Sequence, residues 1–120
     1  MGSFRTLIAF QKAFSLSMKI FSVQKSFPAE ERYDLCSQIK RSTRSVCSSI
    51  GEAYRKRIYE AHFISKLSDA DMENTETQVW LDYALACEYI DKSQYSELIK
   101  ESEEVGKLIN YMMQNPNKFS

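Results

Sequence analysis

The chain has little glycine and little proline: three and two residues in 120. Folds that reverse often spend those residues at every turn, so a few long elements are expected instead. Histidine is scarcer still. His62 stands alone, with Tyr59 three residues before it. A di-iron bundle needs Glu-x-x-His on two helices, and a Cys–His–Asp arrangement needs a histidine beside its nucleophile, so neither chemistry has a specific signal here. No glycine-rich phosphate loop or Walker pattern occurs. The three cysteines, Cys36, Cys47 and Cys87, form no C-x-x-C. On one helix Cys36 and Cys47 would stand roughly 16 Å apart, beyond disulfide reach, so all three read as reduced, small core residues of a cytoplasmic protein. No run approaches the ~18 apolar residues of a membrane span, and no secretory signal pattern opens the chain. No enzyme activity, cofactor, metal or membrane partner is expected.

Net charge is also missing: 16 Lys and Arg balance 16 Asp and Glu. A globally basic nucleic-acid binder is therefore not indicated. The distribution is far from even. Residues 1–57 carry 11 basic against 4 acidic side chains, and residues 58–120 carry 5 against 12. Halves of opposite sign suggest an intramolecular match, or a face that attracts an anionic partner.

What the chain does have is helical spacing. Leu7, Phe10, Phe14, Ser17 and Phe21 form one row, and Ala13, Leu16, Ile20 and Val23 a second, predicting a broad buried face on a helix over about 5–25. Arg5, Lys12 and Lys19 recur on the other side. Pro28 with Glu30 and Glu31 marks a second helix over 28–56, since proline suits the first turn and carboxylates meet the positive end of the dipole. Its seam is Leu35, Ile39, Ser42, Val46, Ser49 and Ala53. Small residues there, with Gly51 beside them, would let a neighbouring helix approach closely. A third helix, 60–88, has the seam Ile64, Leu67, Asp71, Asn74, Gln78, Leu81 and Leu85, whose middle is polar. Asp91 and Gln94 fit a capping box opening a fourth helix over 92–114, and Asn115-Pro116 closes it. Four helices on short loops predict one all-α domain over 1–120, an up-down-up-down antiparallel bundle. Leu35, Ile39, Val46, Ile50, Leu67, Leu81, Leu98 and Ile109 are expected in its core.

In the second helix, which contains the segment RSTRSVCSSIGEAYRKR at residues 41–57, Ser37, Arg41, Arg44, Ser48 and Arg55 share one narrow face. Facing residues of antiparallel helices have position numbers of constant sum. A sum of about 117 would pair Arg41 with Glu76 and Arg44 with Glu73. These are expected as structural ion pairs that set the register of helices 2 and 3. The basic excess outside those pairs is Arg5, Lys12 and Lys19 with Lys40, Lys56 and Arg57, and of these Arg5, Lys12, Lys19, Lys56 and Arg57 are expected as the phosphate ligands.

The run Phe27-Pro28…Glu31…Tyr33…Leu35…Gln38-Ile39-Lys40-Arg41-Ser42…Arg44-Ser45-Val46…Ile50…Glu52-Ala53…Arg55 resembles the signature of a bacterial family. Its members are the four-helix bundle proteins encoded by intervening sequences of large-subunit ribosomal RNA genes. Phe63-Ile64…Lys66-Leu67-Ser68, Glu73…Glu76-Thr77…Trp80-Leu81 and Tyr89-Ile90 continue the likeness, which covers about 4–119. One departure is Ser49, where the family has asparagine. The resemblance implies a ring-like homopentamer and kinship with accessory proteins of diversity-generating reverse transcriptases, which bind nucleic acid and their polymerase. Two functions follow as expectations. One is a non-enzymatic accessory protein binding structured RNA; the other is a scaffold ring docking a polymerase or another protein without touching nucleic acid.

Overall fold

The computed structural model describes residues 2–120, and among them only helices and turns occur. The helices are α1 (Ile8–Val23), α2 (Leu35–Arg55), α3 (Glu60–Ala86) and α4 (Lys92–Gln114), with one 3₁₀ turn before α1, two between α1 and α2 (Gln24–Ser26 and Ala29–Glu31), and one after α4. Each packs on its neighbours in sequence, and α1 also packs on α4, closing a four-cornered bundle 44 Å long. None of the four is long and apolar enough to cross a membrane.

The second helix starts later than expected. Residues 29–31 make a 3₁₀ turn, and Asp34 breaks the chain before α2 begins at Leu35. The acidic residues still act at the helix start, but from outside it. Glu31 accepts a hydrogen bond from the Leu35 amide at 3.2 Å and another from the Tyr89 hydroxyl at 2.7 Å, tying the α1–α2 connection to the α3–α4 turn. Asp91 and Gln94 form the expected reciprocal cap on α4. Glu88 ends α3 with φ of 61°, while the amides of Glu88 and Tyr89 close back onto Leu85 and Ala84. That is a Schellman stop with glutamate where glycine is usual.

All eight expected core residues are buried. The two rows of α1 divide: Ala13, Leu16 and Ile20 are buried, whereas Phe14 stays exposed and Phe10 and Phe21 half-buried. Of the cysteines, Cys36 and Cys47 are core and Cys87 is exposed at the end of α3, correcting the expectation for that residue. At Gly51 the nearest neighbour an added Cβ would meet is the ring of Phe4, at 3.5 Å, rather than a facing α-helix.

The polar middle of α3 is used inside the bundle. Asn74 donates to the Ser102 carbonyl (2.9 Å) and accepts from the Ser102 hydroxyl (3.0 Å), which in turn accepts from Gln78 (2.9 Å). Gly106 gives Asn74 room, since a Cβ there would stand 3.3 Å from the amide nitrogen. Toward α2, the Ser42 and Thr77 hydroxyls meet at 2.9 Å, and Ser49 donates to Glu73 at 2.7 Å. Satisfied pairs of this kind fix one helix register at little net cost. Among the described residues, one buried side-chain polar atom lacks a partner, the indole Nε1 of Trp80.

Candidate nucleic-acid interface

The cations divide in a way the expected pairing did not anticipate. Ser42 opposite Thr77 and Glu52 opposite Lys66 put α2 and α3 within a residue or two of the expected register. Even so, no ion pair joins Arg41 to Glu76 or Arg44 to Glu73 among the described residues. The reason is angular. At about 100° per residue, Arg41 lies roughly 200° and Arg44 roughly 140° around α2 from Ile39. Ile39 is fully buried, so both guanidiniums point out of the bundle, and both residues are exposed. Arg44 leans over the ring of Phe21 on α1, 5.8 Å from its centroid, rather than toward α3. Glu73 is met by Ser49 instead, and its partial burial raises its carboxyl above the ordinary glutamate value.

The stripe on α1 behaves in the opposite way. Lys12 bonds Glu104 at 3.2 Å; Lys19 bonds Glu97 at 3.1 Å and Glu101 at 2.6 Å. These carboxylates raise the Lys19 ammonium above its usual value, chiefly through the bond to Glu101. Arg5 is exposed over the ring of Phe4, and Lys56 is exposed just past α2. Arg57 folds onto Tyr54, donating to its carbonyl at 2.8 Å with the guanidinium 3.9 Å from the ring. The five expected phosphate ligands therefore do not form one free stripe.

A groove of about 620 Å³ opens along the outer side of α2. Its lining is Arg32, Tyr33, Ser37, Lys40, Arg41, Arg44, Ser45 and Ser48: four cations and no carboxylate. A second concavity continues it past Arg32 and Lys40 to Lys25, whose ammonium sits 4.6 Å from the Phe21 centroid. None of these five cations is paired with a carboxylate among the described residues. Like charges held side by side without counter-charge repel one another and attract anions. Arginine forks suit phosphate oxygens in particular, and the serines offer neutral hydroxyls between them. Arg41 and Arg44 were legible as one face; Lys25, Arg32 and Tyr33 were missed, because the two 3₁₀ turns Gln24–Ser26 and Ala29–Glu31 were read into the end of the first helix and the start of the second.

Elsewhere the described residues bring no group of three or more His, Cys, Asp or Glu side chains together around a possible ion. His62 is exposed and meets Tyr59 edge-on. The molecule is thus an antiparallel four-helix bundle with a polar, hydrogen-bonded seam and a basic groove on one outer helix. It belongs to the family of 23S rRNA-intervening sequence proteins, whose model matches residues 5–111. Its fold is similar to a crystal structure from Bacteroides thetaiotaomicron, a protein of unknown function from the S23 ribosomal protein family. The two share 30% identity over 89% of this chain and 96% of that one, with a TM-score of 0.81. No curated protein matches the chain.

Proposed function

We propose that the protein is a non-enzymatic accessory protein that binds structured RNA through the phosphate backbone, using the groove on α2. The observation that carries this reading is the carboxylate-free lining of that groove in a chain of zero net charge. Lys12 and Lys19 take a smaller part than the sequence suggests, since α4 already neutralises them. The working form is a homo-oligomer, with five copies if the family resemblance extends to assembly; several copies would multiply the phosphate contacts. A ring that docks a protein partner is the second reading. It is favoured by the apolar side chains left exposed on α1 and α3, notably Phe14, Met18, Met72 and Tyr83.

The test titrates labelled RNA hairpin into wild type, Arg41→Gln/Arg44→Gln and Lys12→Gln/Lys19→Gln at several salt concentrations. Phosphate binding predicts a linear fall of log affinity with log salt. Its slope should drop by about 2 in the arginine variant, at roughly 0.9 per phosphate contact. The lysine variant should keep most of its affinity. No binding by wild type would leave the docking ring as the better reading, and light scattering on the same samples gives the copy number.

A further inference from the structure

We infer that the α2 groove receives an unpaired nucleotide, with Tyr33 as the surface on which its base stacks. This rests on the phosphate-binding reading above and narrows it from RNA in general to a strand whose bases are open. Tyr33 sits in the short turn between the 3₁₀ segment and α2, at the head of the groove, and is 84% exposed. No core contact or hydrogen bond of its hydroxyl accounts for a large aromatic there among the described residues. The Arg32 guanidinium lies 6.0 Å from its ring centroid, and the high exposure of the residue leaves ring surface free for a further contact. A ring backed by a cation, with more cations along the adjoining helix, combines the two parts that single-strand binders use: a flat π-surface and a positive track for the backbone.

The geometry suits a flexible strand better than a duplex. From Ser37 to Ser48 the groove follows α2 for about 16 Å, a length of a few nucleotides. Arg41 and Arg44 stand about one helical turn apart within it, with Lys40 beside them. A strand running over them toward the head of α2 brings phosphates to the arginines and one base to Tyr33. In an A-form duplex the bases are stacked on each other, so the tyrosine ring has nothing to take up and only the charges contribute. Stacking is tolerant of sequence, so the groove prefers open strands over paired ones and has little preference among bases.

The experiment measures fluorescence anisotropy of a labelled 12-nucleotide oligo-uridine and of a labelled 12-base-pair RNA duplex. Wild type, Tyr33→Phe, Tyr33→Ala and Arg41→Gln/Arg44→Gln are compared, each checked for helical content by circular dichroism. Wild type and Tyr33→Phe should bind the single strand more tightly than the duplex. Tyr33→Ala should lose about tenfold for the single strand, the range of one stacked base, and leave duplex binding unchanged. The arginine variant should weaken both. Equal losses for strand and duplex in Tyr33→Ala, no loss for either, or a wild-type preference for duplex would overturn the stacking role while phosphate binding stands. Wild type binding neither RNA would overturn both readings and turn the groove into a site for an acidic protein.

Discussion

Replacing Ser102 with alanine tests whether the polar seam of α3 does what its geometry says. The residue is fully buried, and its hydroxyl donates to Asn74 Oδ1 at 3.0 Å while accepting from Gln78 Nε2 at 2.9 Å. In the variant, Asn74 keeps its bond to the Ser102-position carbonyl, but Oδ1 is left in a buried site without a donor. Stranding such an acceptor costs about 1–3 kcal/mol. Gln78 is half-buried and can turn its amide to water, so it adds little. The lost oxygen leaves less than a methyl-sized void, worth a few tenths of a kcal/mol. Alanine returns about 0.5 kcal/mol in helix propensity. The net loss should be about 1–3 kcal/mol. Asn74→Leu, which strands the Ser102 hydroxyl proton instead, should cost a similar amount. Joined with Ser102→Ala it should cost much less than the sum, because replacing both partners by apolar groups removes the unpaired atoms. Urea unfolding at one fixed protein concentration measures this, because self-association would otherwise shift the midpoint. A Ser102→Ala protein as stable as wild type, or more stable through its propensity gain alone, would refute the network.

Three further outcomes follow from single sites. Glu88→Gly should raise stability by about 1 kcal/mol, because glycine holds the left-handed end of α3 without the cost a side chain imposes at φ of 61°; thermal melting shows it. Under native conditions a maleimide should label Cys87 alone, with Cys36 and Cys47 reacting only on denaturation, since burial pushes the Cys47 thiol up to about 11; mass spectrometry of the labelled protein decides. Glu73 has its folded-state pKa raised by desolvation, so the folded protein binds the proton more readily than the unfolded chain, and stability falls as pH rises from the ordinary glutamate value of 4.5 through the raised one. Glu73→Gln, which can still accept from Ser49, should flatten that decline in urea titrations run across this window.

Periodicity carried most of the fold, because steps of three and four residues report burial directly. Leu35, Ile39, Val46, Ile50, Leu67, Leu81, Leu98 and Ile109 are all core. Two features escaped for physical reasons. The start of α2 depends on where Glu31 finds its partners, the Leu35 amide and the distant Tyr89 hydroxyl, and the second lies 58 positions away. The outward face of Arg41 and Arg44 was within reach of the same helical arithmetic that found the seam. Their matching glutamates at plausible register made a burial argument that the angle from Ile39 contradicts. A correct register does not place a residue between two helices; its angle around its own axis does.

That distinction also answers why a chain with halves of opposite charge should have a free basic groove at all. The excess of lysine and arginine in α1 and α2 could all be cancelled by α3 and α4 only if every cation lay on a flank facing an acidic neighbour. On α1 that holds: Lys12 and Lys19 border α4, and Glu97, Glu101 and Glu104 line the same border. On α2 the border with α3 holds small hydroxyl residues and Glu52, which bonds Lys66 at 2.9 Å, so the basic helix meets the acidic one partly with its sign reversed. Lys40, Arg41 and Arg44 are left on the outer side, turned away from α3, with Arg44 over the Phe21 ring of α1 and no carboxylate lining the groove beside them. Had these positions served only solubility, lysine and glutamate interspersed would have done as well, and without mutual repulsion. Three adjacent unpaired cations, extended by Arg32 and Lys25 and joined to an exposed tyrosine, make an arrangement whose repulsion is relieved when an anion binds. The zero net charge of the chain and the positive groove on α2 are therefore compatible, and it is the second on which the proposed phosphate binding rests.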